Sequence, residues 1–95
     1  MTKGDLLTIL LANLDFVSVD TNRENYLNNL IETAISLITR EGATLKEPYT
    51  IEDGNLVVMY AAYLFRKRAT NEPMPRMLRF ALNNRIFGGK ADGAE

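Results

Sequence analysis

The sequence predicts an all-α protein, a small bundle of about four helices with a flexible C-terminal tail. Three observations carry that reading. Apolar residues recur at three- and four-residue intervals through most of the chain, Thr-x-x-acid signatures stand before three of these runs, and no segment reads convincingly as a strand. At 95 residues, 46% of them apolar, the chain makes one domain, with 1–87 as the helical part and 88–95 as the tail. So short a chain buries about two-thirds or less of its unfolded surface, so marginal stability or oligomerisation is expected.

The first helix starts at Thr2-Lys3-Gly4-Asp5, where the hydroxyl and the carboxylate can satisfy free backbone N–H groups. Leu6, Leu7, Leu10, Leu11 and Leu14 follow as one stripe, and 15–20 reads as a loop. The second helix opens with the same device at Thr21-Asn22-Arg23-Glu24. It carries Leu27, Leu30, Ile31, Ala34, Ile35 and Ile38 inward and ends with Arg40 in its last turn and Gly42 just beyond.

Pro48 closes the next connection, and Thr50-Ile51-Glu52-Asp53 signals a third start. Gly54 in that first turn costs about 1 kcal/mol relative to Ala. From Leu56 to Phe65 there is no polar face at all. A helix apolar all round must be covered all round, and three short neighbours leave one side for another subunit. Leu56, Val57, Tyr60 and Leu64 are therefore expected at an apolar subunit interface. The fourth helix begins near Pro75, a residue suited to a first helical position. Met77, Leu78, Ala81, Leu82 and Ile86 make its inward stripe, Arg76, Arg79 and Asn83 share another face, and Gly88-Gly89 ends it.

Composition narrows the function. Cysteine and histidine are both absent, which removes disulfides, thiolate chemistry, the commonest general base and the commonest transition-metal ligand. Glu52 and Asp53 look like a paired acid but serve a helix start. The other carboxylates lack calcium-loop spacing, and Gly88-Gly89 follows a helix, unlike a phosphate-binding loop. The chain is read as not an enzyme, with no catalytic residue, metal or cofactor. The N-terminus lacks a signal pattern and Leu6–Leu14 is too short to cross a bilayer, so manufacture in a cytoplasm and no membrane contact are expected.

Net charge is −1, but it is unevenly placed: residues 1–63 hold four basic against nine acidic side chains, and residues 64–95 seven against three. The sign changes within YLFRKRATNEPMPRMLRFALNNR. Arg66, Lys67 and Arg68 end a helix, where cations offset the dipole, whereas Arg76 starts one, where they do not. Two helices across a short turn also admit a helix-turn-helix DNA-binding regulator, with Arg76, Arg79 and Asn83 on bases or phosphates. Against that stand two prolines in the turn and a mildly acidic chain.

The segment LNNLIETAISLITREG resembles the second helix of small head–tail connector (head-completion adaptor) proteins of tailed bacteriophages, through Ile31, Glu32, Ala34 and Gly42. The third helix is similar in its apolar run with Ala61, Tyr63 and Arg66, and the last in Pro75, Leu78, Leu82 and Arg85. The resemblance covers residues 2–87. It implies a structural adaptor in the virion, at the head–tail junction. Subunits would form a homo-oligomeric ring, a dodecamer in the particle, below the portal protein. The ring would lengthen the DNA channel and dock the next connector or tail protein.

DNA passes through such a lumen transiently. Each arginine on the wall would add counterion-release affinity, and hence drag, once per subunit. Tyr63, Arg66, Arg76, Arg79 and Arg85 are accordingly expected to face neighbouring subunits or the portal, the arginines pairing with acids of the 1–63 segment.

Overall fold

The computed structural model describes residues 1–16 and 20–94, with side chains described as far as Gly88. Among those residues the only regular secondary structure is α-helix. The order is α1 (Lys3–Asn13), α2 (Thr21–Arg40), α3 (Ile51–Thr70) and α4 (Arg76–Ala94). The expected loop at 15–20 lies in part outside the described residues.

Local chemistry accounts for the ends. Thr2 and Asp5 form a reciprocal capping box at α1: the Thr2 hydroxyl accepts from the Asp5 N–H, and the Asp5 carboxylate accepts from the Thr2 N–H at 3.0 Å. For α2 the expected cap is displaced by one residue. Asp20, not Thr21, is the N-cap, its carboxylate accepting from the Arg23 N–H at 2.8 Å, because a carboxylate accepts there at least as well as a hydroxyl. At the other end Gly42 takes φ +120°. Its N–H reaches the Thr39 carbonyl, and the Ala43 N–H reaches that of Ile38. This is the paired closure of a Schellman motif, with Ala43 buried against the core.

Thr50 caps α3 as expected, accepting from the Asp53 N–H at 3.0 Å. Gly54 has a packing role beyond its helix cost. A Cβ there would run into the Met1 side chain and come within 3.2 Å of Leu6, so the bare backbone lets α1 lie close across α3. Asn71 closes α3 in the left-handed region (φ 55°, ψ 35°), its N–H bonding the Lys67 carbonyl. The turn before α4 therefore uses asparagine where glycine is commoner. Pro75 sits one residue before α4 and supplies the carbonyl that the Arg79 N–H takes at 3.1 Å. Helix α4 continues through Gly88 and Gly89 to Ala94, beyond the stop expected at the glycine pair. A glycine lowers helix propensity by about 1 kcal/mol but does not forbid the helix.

Helix α3 is the axle of the bundle, in contact with α1, α2 and α4. Leu6 and Leu10 from α1, Leu27, Ile31, Ala34 and Ile38 from α2, and Leu78, Leu82 and Ile86 from α4 all bury against it. This overturns the expectation of an uncovered side. Leu56, Val57 and Tyr60 are buried within the single chain and Leu64 is half-buried, because α4 lies on the flank that α1 and α2 leave open. They form no free apolar interface.

Candidate interaction surface on the last helix

The charged residues of α4 divide according to what they meet. Arg85 points inward. Its Nε donates to Asp53 Oδ1 at 2.7 Å and its Nη2 to the Thr44 carbonyl at 2.7 Å, joining α4 to the start of α3 and to the loop before it. Asp53 is the one charged residue in the described core, at 9% exposure. Its carboxylate was expected to serve the helix start. The Thr50 hydroxyl already meets the Asp53 N–H, which leaves the carboxylate for Arg85. Arg79 Nη1 donates to Glu41 Oε1 at 3.0 Å, holding α4 to the end of α2. The acids expected to receive these arginines do come from the 1–63 segment, but from the same chain rather than a neighbour. Arg85 is thus engaged within the chain, while Arg79 makes its ion pair at the surface, its side chain 42% exposed.

Arg66 donates to Asn13 Oδ1 at 3.2 Å across the end of α1. Tyr63 is buried, its hydroxyl donating to the Glu72 carbonyl at 3.4 Å, which ties the α3–α4 turn back to α3. Tyr60 lies edge-on to it at 6.1 Å. Burial pushes the Tyr60 phenol above its ordinary 10.0, helped by Glu41 and opposed by Arg79. Of the expected interface residues, Arg76 alone is exposed with no hydrogen bond or ion pair among the described residues.

A cation–aromatic cluster lies at the other end of α3. Phe16 and Phe65 meet edge to face at 5.8 Å, and Tyr26 lies 6.4 Å from Phe65. The Arg68 guanidinium covers Phe65 at 4.3 Å and Tyr26 at 5.6 Å, and Arg23 covers Phe16 at 4.9 Å. Arg68 therefore has a packing role besides its dipole placement. The three-residue spacing from Phe65 to Arg68 carried a signal for one of these contacts; the meeting with Phe16 and Tyr26 has no local signature.

The outward side of α4 is the feature the sequence reading missed. Met77, expected to point inward, is 77% exposed, and Phe80 and Phe87 are 58% and 64% exposed. Steps of three and seven residues place all three on one stripe, opposite Leu78, Leu82 and Ile86. Leu78 lies in register with Leu82 and Ile86 and enters the core, whereas Met77, about 100° further round the helix from that inner face, stays outside it. Beside the stripe lies an open groove of about 710 Å³, walled by Ala81, Asn84 and Gly88 of α4 and by Gly42, Thr44 and Glu52 opposite.

No group of three or more His, Cys, Asp or Glu that could hold a metal ion occurs among the described residues. No described helix is long and apolar enough to cross a membrane. Compared with known proteins, the chain matches no family model, no curated protein and no solved structure.

Proposed function

We propose that the chain is a structural head–tail connector subunit of a tailed bacteriophage, without catalysis. It would form a ring below the portal, extend the DNA channel and dock the next tail component. The observation that carries this reading is the outer face of α4. Three large apolar side chains are exposed along a helix whose inner face is already fully engaged, and such a stripe marks a contact surface.

Charge placement supports it further. Arg79 and Arg85 are ion-paired to Glu41 and Asp53, so among the described residues Arg76 is the one arginine of α4 without an ion pair, which does not make a basic strip suited to gripping phosphates. The helix-turn-helix alternative would lay Met77, Phe80 and Phe87 against DNA in place of polar side chains, an arrangement that argues against α4 as a recognition helix.

The test is native mass or light scattering over a range of concentrations, with a parallel DNA titration in salt. High-order rings with weak, salt-sensitive and sequence-independent DNA binding are expected. A dimer with a tight, specific DNA site would refute the connector reading.

A further inference from the structure

We draw no further inference here: the strongest candidate, the exposed apolar patch that Met77 and Phe80 form on the outer face of α4, carries nothing beyond the contact already read from it, because nothing in the structure shows what covers it.

Discussion

Replacing Arg85 with alanine should cost about 3 kcal/mol of folding stability, the price of leaving a mostly buried carboxylate unpaired. Arg85 makes two short bonds, one to Asp53 and one to the Thr44 carbonyl, and the two side chains of the ion pair are 28% and 12% exposed. Bonds of this kind contribute about 1.5–3 kcal/mol each. Water can replace the guanidinium at the exposed Thr44 side, so most of the loss falls on Asp53, which keeps no other side-chain partner among the described residues.

Against a total stability of about 5–15 kcal/mol, the effect is large. Thermal melting should fall by roughly 15 °C, taking 4–8 °C per kcal/mol for a domain of this size. The urea midpoint should fall by about 2–3 M, at a slope near 1 kcal/mol/M. Asp53→Leu combined with Arg85→Leu should cost less than the two single changes added together, since no unpaired charge remains. A loss under about 0.5 kcal/mol for Arg85→Ala, or strict additivity in the cycle, would refute the lock.

Other outcomes follow from single positions. Gly42→Ala should destabilise by about 1–2 kcal/mol in denaturant titration, from backbone strain at φ +120° and not from crowding, since a Cβ there would meet Ile86 only at 3.5 Å. Arg68→Ala should cost about 0.5–1 kcal/mol, with little further loss once Phe65 is also truncated, measured as a double-mutant cycle. Burial raises the folded pKa of both Tyr49 and Tyr60, so the stability they carry is complete below the unfolded value of 10.0 and is lost as pH rises through the higher folded values. Alkaline unfolding should therefore begin above pH 10.0, and Tyr60→Phe should move it upward, read from phenolate absorbance and circular dichroism together.

Much of this architecture is legible in the chain. The stripes of α1 and α2, the Thr2 and Thr50 caps and the glycine closure at Gly42 are local events, each decided within one helical turn by spacing and side-chain chemistry. The same locality explains the small errors. Thr21 yielded the cap to Asp20 because adjacent polar residues compete for one N–H, and Met77 was set inward because two neighbouring apolar residues satisfy the same rough period. The sequence by itself thus determined four helices, their caps and most of their inner faces.

Only the tertiary structure decided what those helices do to one another. Whether the all-round apolar α3 is covered depends on where α4 lies, and α4 closes the flank that a neighbouring subunit was expected to fill. Which carboxylate receives Arg79 or Arg85 depends on contacts 38 and 32 residues apart, far outside the reach of any periodicity. Once Arg85 is drawn inward and Arg79 is ion-paired, the outer face of α4 is left apolar, with Arg76 at its edge. A charge count along the chain cannot show this, because pairing is fixed by how helices cross and not by the order in which residues are written.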